Sequence, residues 1–348
     1  MACGGCLGCT GPGLQDARRA YRNWFDSLSG RRKGRKVGRP RYRRKHGRQS
    51  IRLTRNGFSL RGDKLYIAKV GQISVRWSRD LPSVPSSVTL IREPDGRYYA
   101  SFVVSIETSP LPPVARAAGI DLGLTTLATI ASTDGTVRSI ANPRFLRRRE
   151  QKLAQAQRAL SRKVKGSANW LKARRRIAVI HRKVRETRRD HAHQTALQLI
   201  RENQAVHVED LSIVGMARTR LGKSVHDAAW GQFVRLLEEK AIRYGRTVSR
   251  VDRWFPSTRL CSACGLVTGP AALQVREWAC VCGAVHDRDE NAARNILAAG
   301  LAERSNACGG GVGPGSVPAA AVESGTPPRC RAGGTAGVRA DSGGEEVN

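Results

Sequence analysis

Two close pairs of cysteines constrain this chain most: Cys261 and Cys264 in "CSACG", and Cys280 and Cys282 in "WACVCG". Fifteen residues separate the pairs, so the pattern C-x2-C-x15-C-x-C lies close to the spacing of a zinc ribbon. Four thiolates arranged tetrahedrally satisfy zinc fully and leave no position open for substrate, so such a site is structural. The second pair is one residue shorter than usual, which demands tighter backbone geometry around its sulfurs. Ligation by both Cys280 and Cys282 is therefore an open point, with free thiols or a degenerate knuckle as the alternatives. Cys3, Cys6 and Cys9 have ligand-like spacing, but they stand in a Gly-rich leader with no fourth ligand nearby. Cys308 and Cys330 read as free thiols in a tail.

Charge narrows the partners. The 348 residues carry 61 Lys and Arg against 28 Asp and Glu, a net charge of +33. Self-repulsion penalises such an excess unless a polyanion offsets it, so nucleic acid is the expected partner, ahead of an anionic membrane surface. No apolar run approaches the ~18 residues that span a bilayer. The start "MACGGCLGCTGPG" has neither the basic flank nor the apolar centre of a secretory signal. A cytoplasmic, nucleoid-associated protein is expected, and in a reducing compartment nine cysteines favour metal or free thiols over disulfides.

The hydrophobic period divides the chain. Residues 1–13 form an atypical leader, and 14–28 carry Leu14, Ala17, Tyr21, Trp24, Phe25 and Leu28 at helical spacing. The stretch 31–48 holds 11 Lys and Arg in 18 positions and reads as an extended basic loop. Across 50–107, "SIRLT", "KLYIAKV", "ISVRW", "SVTLI" and "RYYASFVVSI" read as strands of a small antiparallel barrel or sheet, with Asp95-Gly96 as a hairpin turn. "TSPLPP" at 108–113 marks a boundary. Beyond it, "AAGIDLGLTTLATIASTDGTVRSI" reads as a buried strand, a Gly turn and two more strands. Residues 144–200 predict a basic helical hairpin broken at "KGSAN" (165–169), with Leu146, Leu153 and Leu160 recurring every seven residues. "AVHVEDL" predicts a strand, 225–244 an amphipathic helix, "RTVSRVD" a strand, and 288–300 a final helix. From about 301 the chain is too rich in Gly and Pro to build a core and is expected to be a disordered tail.

Three acidic motifs stand in the α/β part. Asp121 lies in the β-rich run "GIDLGLTT", Glu209 closes the apolar strand "HVEDL", and Asp287 and Asp289 open the helix "HDRDENAARN". Singly, each has an ordinary reading: a strand-end acid satisfied by its turn, or a helix N-cap. Asp210 falls on the strand face opposite Glu209. Together, two acids on strand ends and one at a helix start can build a two-metal nuclease. In such a centre carboxylates hold a pair of Mg²⁺ ions about 4 Å apart against the attacking and leaving oxygens of a phosphodiester.

"GIDLGLTTLATI", "VHVEDLSIVGM", "DAAWGQFVRLLEEKAIRYGRTV", "VDRWFPSTRLCSACG" and "CGAVHDRDENAARNIL", in this order, closely resemble the TnpB (OrfB) proteins of bacterial insertion sequences, relatives of the type V CRISPR effectors. The resemblance spans residues 14–300. It implies an α/β fold: a RuvC-type, RNase H-like domain with an inserted zinc ribbon, plus an N-terminal small β-barrel and a truncated helical lobe. The lobe remnant and basic loop would occupy 14–49, the barrel 50–113, and the nuclease domain 114–300. The nuclease domain would contain the basic hairpin 144–200, lying along an RNA–DNA duplex, and the ribbon 257–285; the tail would be 301–348. Asp121, Glu209 and Asp289 match the family's catalytic, Mg²⁺-binding acids, with Asp287 a neighbour. Cys261, Cys264, Cys280 and Cys282 match its zinc ligands. A guide RNA and a DNA target are the implied partners. Candidate nucleic-acid contacts are Arg31, Arg32, Lys33, Arg41, Arg43, Arg44, Arg147, Arg148, Arg174 and Arg175.

The family normally begins with a longer segment holding the first barrel strand and early lobe helices, and the leader here matches no part of it. The leading expectation is thus a transposon-encoded, RNA-guided DNA endonuclease, associated with DNA transposition. A truncated, inactive relic that binds nucleic acid is the alternative, and a strand-transfer transposase is a third. The ribbon then reads as a brace for the acid site, since Asp289 follows Cys282 seven residues later.

Overall fold

The computed structural model describes residues 7–42, 47–270, 272 and 274–307. Helix α1 (Leu7–Leu28) opens the chain. It starts seven residues before the periodic face, so part of the expected leader 1–13 is helical. Extending a nucleated helix adds one hydrogen bond per residue without a new nucleus, which lets it run back into a stretch with no pattern of its own.

The strand-rich segment forms two three-stranded antiparallel sheets rather than one hydrogen-bonded barrel. One has the order β1 (Gln49–Thr54), β5 (Ser87–Arg92), β6 (Tyr98–Val103). The other is the meander β2 (Phe58–Arg61), β3 (Lys64–Ile67), β4 (Gly71–Ser74). They close on a shared core of Leu53, Phe58, Leu65, Ile67 and Val88, so the closure is made by side chains and not by a continuous ladder. β2 was not expected, and "ISVRW" leaves its strand at Ser74.

The larger unit is a five-stranded mixed sheet with the order β11-β10-β7-β8-β9. β7 (Ala117–Asp121), β8 (Thr126–Ser132) and β9 (Val137–Ala141) form an antiparallel meander. β10 (Ala205–Glu209) adds parallel to β7, and β11 (Thr247–Val251) parallel to β10. Runs such as "AAGI" and "AVHV" are buried residue by residue, the signature of strands covered on both faces. One cover is α3 (Ala168–Glu202) with α6 (Trp230–Tyr244), which pack together and place Ala196, Leu199, Ile200, Phe233 and Leu237 in the main core.

α7 (Arg288–Ala307) packs closely on the sheet as well. A Cβ on Gly119 of β7 would fall on the backbone of Ala293 and Leu297, 2.7 Å from Leu297 Cα. A Cβ on Gly300 would likewise fall on the imidazole of His207. Gly119 and Gly300 therefore set how closely α7 seats, and with it the position of its first turn. α7 runs to Ala307, past the expected end at 300; the remainder of the expected tail lies outside the described residues.

The basic segment forms α2 (Glu150–Ser161) and α3, packed against each other and joined through the predicted break, where Ser167 caps α3 by accepting from Trp170 N at 3.1 Å. The helix expected over 225–244 is two: α5 (Gly222–Ala228) and α6, preceded by a short α4 (Ile213–Ala217). Ala229 separates them in the left-handed region, at φ 55°. The break seats Trp230 and Phe233 in the core and turns buried Asp227 toward the start of the hairpin. There Asp227 accepts from Leu146 N (2.8 Å), Arg147 N (3.2 Å) and Arg188 (3.1 Å).

Candidate metal centres and their geometry

Asp121 ends β7 and Glu209 ends β10, and the register pairs Ile120 with Val208, so the two acids leave neighbouring parallel strands at the same sheet edge. Asp289 lies in the first turn of α7. The neighbouring acid takes the capping role: Asp287 Oδ1 accepts from Glu290 N at 2.9 Å, leaving the Asp289 carboxylate for other partners. Asp210 turns away from Glu209 and pairs with Arg250 (3.3 Å) and Arg253 (2.5 Å).

The electrostatics register the convergence of the three. Burial, then the Glu209 and Asp289 carboxylates, push the Asp121 carboxyl from 3.8 up to about 7, against the opposing charges of Arg288 and Arg276. Burial also holds the Glu209 carboxyl above its ordinary value. A like-charge cluster of this kind calls for cations, and the carboxylate oxygens are hard donors suited to Mg²⁺. Arg276 supplies one positive charge, its Nη1 lying 3.1 and 3.3 Å from the two oxygens of Asp289.

The cysteines lie in a small ribbon. β12 (Glu277–Ala279) and β13 (Val285–Asp287) pair around Cys280 and Cys282, while Cys261 N donates to Leu266 O (2.8 Å) and Gly265 N to Cys261 O (2.9 Å). The four sulfurs lie within 4.8 Å of one another, with Cys261–Cys282 at 3.8 Å and Cys264–Cys280 at 3.6 Å. Sulfurs placed ~2.3 Å from a tetrahedral ion sit about 3.8 Å apart, so this set fits zinc, and the C-x-C spacing does not prevent it. Among the described residues these cysteines are the one group of three or more Cys, His, Asp or Glu side chains gathered so tightly. The three acids are more open than that.

The ribbon is fixed to α7 by residues that charge and spacing did not single out. Asn291 Nδ2 donates to Leu260 O (2.7 Å), and its Oδ1 accepts from Ser262 N (2.9 Å). Asn295 Nδ2 reaches Ser257 O and Leu260 O, both at 2.7 Å. Both asparagines are buried and one turn apart on a helix that also buries Ala292, Ala293 and Ile296, and that i, i+4 polar pair was the available signal. His286, tilted 43° against the Trp278 ring at 4.6 Å, brings Nε2 to 3.0 Å from Cys261 Sγ, where it could serve as an outer partner if that thiolate holds a metal.

The basic candidates separate. Arg32, Lys33, Arg41 and Arg148 are exposed, and so is Arg31, which pairs with Asp26 at 3.3 Å. Arg147 donates to Ser224 (2.8 Å) and Arg174 lies over the Trp170 ring at 5.4 Å. Arg175 is committed to the backbone, donating to Asp95 O at 2.6 Å. Arg43 and Arg44 lie outside the described residues, as do Cys3, Cys6, Cys308 and Cys330; of the Cys9 side chain nothing is described.

Comparison with known proteins places the chain. Residues 101–220 match the OrfB/IS605 family model, described as "Probable transposase", and residues 230–296 match the model "Cas12f1-like, TNB domain". A Streptomyces pristinaespiralis protein named "Putative RNA-guided DNA endonuclease" is 45% identical over 280 residues, covering 79% of this chain and 68% of that protein. InsQ of Escherichia coli K12, with the same description, is 32% identical over 309 residues, covering 83% of this chain and 73% of its own length. Among solved structures, a Cas12f1–sgRNA–target DNA complex aligns with a TM-score of 0.46 at 16% identity, over 71% of this chain and 59% of that one. On the identity and coverage of these two relatives, the chain belongs to the TnpB (OrfB) family.

Proposed function

We propose that this chain is an RNA-guided DNA endonuclease whose cutting centre is Asp121, Glu209 and Asp289. The observation that carries the reading is the meeting of these carboxylates at one sheet edge, close enough for two of them to raise the proton affinity of the third. Magnesium ions held there would stabilise the attacking and leaving oxygens of phosphodiester cleavage.

The chain's own residues do the rest. With a carboxyl near 7, Asp121 carries a proton part of the time at neutral pH, and a cation held by Asp121, Glu209 and Asp289 would favour its ionised form. Asp287 caps the helix that carries Asp289, and Gly119 lets that helix seat on β7, so the third acid is placed by backbone geometry. The ribbon, with Cys261, Cys264, Cys280 and Cys282 holding zinc, braces the same helix through Asn291 and Asn295. The excess of 61 basic over 28 acidic residues supplies phosphate contacts for guide RNA and target DNA, and their affinity falls steeply with salt. In guided systems base pairing carries the sequence choice, while the protein reads the shape of the heteroduplex.

The test is to purify the chain with its co-purifying RNA, sequence that RNA, and incubate the complex with a matching DNA duplex and Mg²⁺. Matched DNA should be cut and unmatched DNA spared. Binding without cutting would favour the non-catalytic relic, and joined rather than cleaved products would favour strand transfer.

A further inference from the structure

Arg276 lies in the ribbon between the two cysteine pairs, just before β12. Its guanidinium takes no part in the ribbon's own core of Cys261, Trp278, Cys280 and Ala284. Instead Nη1 rests against both oxygens of Asp289, at 3.1 and 3.3 Å, while its carbonyl accepts from Arg288 N at 2.7 Å. Its charge reaches Asp121 as well. The neighbouring Arg288 is not equivalent: it is buried and donates Nη1 to Ala272 O at 2.6 Å. The Arg276 side chain is 53% exposed, so it has room to swing away.

We infer that Arg276 is the resident counter-ion of the acid centre, competing with divalent cations for the Asp289 carboxylate and so setting the concentration at which the centre loads. This rests on the reading of Asp121, Glu209 and Asp289 as metal ligands. The competition follows from shared lone pairs: a Mg²⁺ ion demands near-octahedral oxygen donors, and both Asp289 oxygens face the guanidinium. A unit positive charge beside a divalent ion is also repulsive by Coulomb's law, weakened here by solvent. The zinc ribbon therefore contributes more than support. It carries the charge that opposes casual loading of the cutting centre, and a nucleic-acid phosphate entering the edge offers that guanidinium an alternative partner.

The experiment measures Mn²⁺ binding to the full, zinc-loaded chain by electron paramagnetic resonance at pH 7.5 and fixed ionic strength. The proteins compared are wild type, Arg276→Gln, Arg276→Lys and Asp289→Asn, with zinc content and thermal unfolding recorded for each. Removing the charge should tighten Mn²⁺ binding about tenfold, Arg276→Lys should stay within about twofold of wild type, and Asp289→Asn should weaken binding. Unchanged or weaker binding in Arg276→Gln, while Asp289→Asn still weakens it, would overturn the counter-ion role and leave the acid centre standing. Full Mn²⁺ affinity in Asp289→Asn would instead overturn the metal-ligand reading beneath it. A purely structural Arg276 would lower thermal stability without tightening Mn²⁺, and that too counts against the inference. Should Arg276→Gln lose its zinc or its fold, Arg276→Met provides the same charge removal with the aliphatic stem retained.

Discussion

Asp121→Asn should make the protein more stable while removing its activity, and the stabilisation should depend on pH in one direction. In the folded chain the Asp121 carboxyl titrates at about 7 instead of 3.8, because burial and the carboxylates of Glu209 and Asp289 disfavour its charge. The folded state thus binds this proton more tightly than the unfolded state does. Its contribution to stability is fully present below about 4 and is lost as pH rises through about 7. The rise from 3.8 to about 7 corresponds to ~4 kcal/mol at pH 8, taken as an upper figure. Asparagine has no charge to bury, so Asp121→Asn should exceed wild type by up to that amount at pH 8, a rise in Tm of up to roughly 8 °C. The assay is thermal or urea unfolding of zinc-loaded protein without other divalent ions, at pH 5, 6.5 and 8. Equal stabilities at pH 8, or a gap that fails to narrow toward pH 5, would refute the reasoning. Added Mg²⁺ should stabilise wild type more than the variant, since only wild type offers all three carboxylates.

Three further outcomes follow from the structure. Metal analysis should find about one zinc per chain, dropping after Cys261→Ser; absence of zinc in protein purified without chelators would defeat the ribbon assignment. Gly119→Ala should cost roughly 2–4 kcal/mol in urea unfolding, because the new Cβ meets the backbone of α7 rather than a movable side chain; an unchanged midpoint would contradict the close seating of that helix. Asp95→Ala should destabilise by about 2–3 kcal/mol, since Arg182, whose side chain is 8% exposed, would lose its buried partner at 2.5 Å and keep only the more exposed Glu186; a double variant Asp95→Ala/Arg182→Met should recover part of the loss, and no recovery would contradict the buried pair.

Asp121 in "GIDLG" and Glu209 in "HVEDL" drew attention in the sequence because an ionised side chain in an apolar strand run demands an explanation, but singly each had an ordinary reading, and only the family resemblance singled out Asp289 to join them. Strands of the mixed sheet were legible in continuous runs of Ala, Ile and Val, whereas their order and direction were not. Tertiary packing decided the rest. No glycine or proline marks the break at Ala229, which exists because Trp230 and Asp227 are needed on different surfaces. The β2 strand is four residues long, too short for its alternation to stand out. Arg276 is one of 61 basic residues, and only the folding of the ribbon onto α7 brings it to Asp289. Likewise the fit of the shortened cysteine pair depended on where four sulfurs come to rest, which spacing alone does not determine.

On the proposed function, Asp121, Glu209 and Asp289 act as one cutting centre in an RNA-guided complex. The most direct measurement is Mg²⁺-dependent cleavage of DNA matched to the co-purified RNA, comparing wild type with Asp121→Ala, Glu209→Ala and Asp289→Ala at equal RNA occupancy. Each single variant should lower the cleavage rate by at least about a hundredfold while target binding persists. Cleavage that survives in any of the three would contradict the assignment.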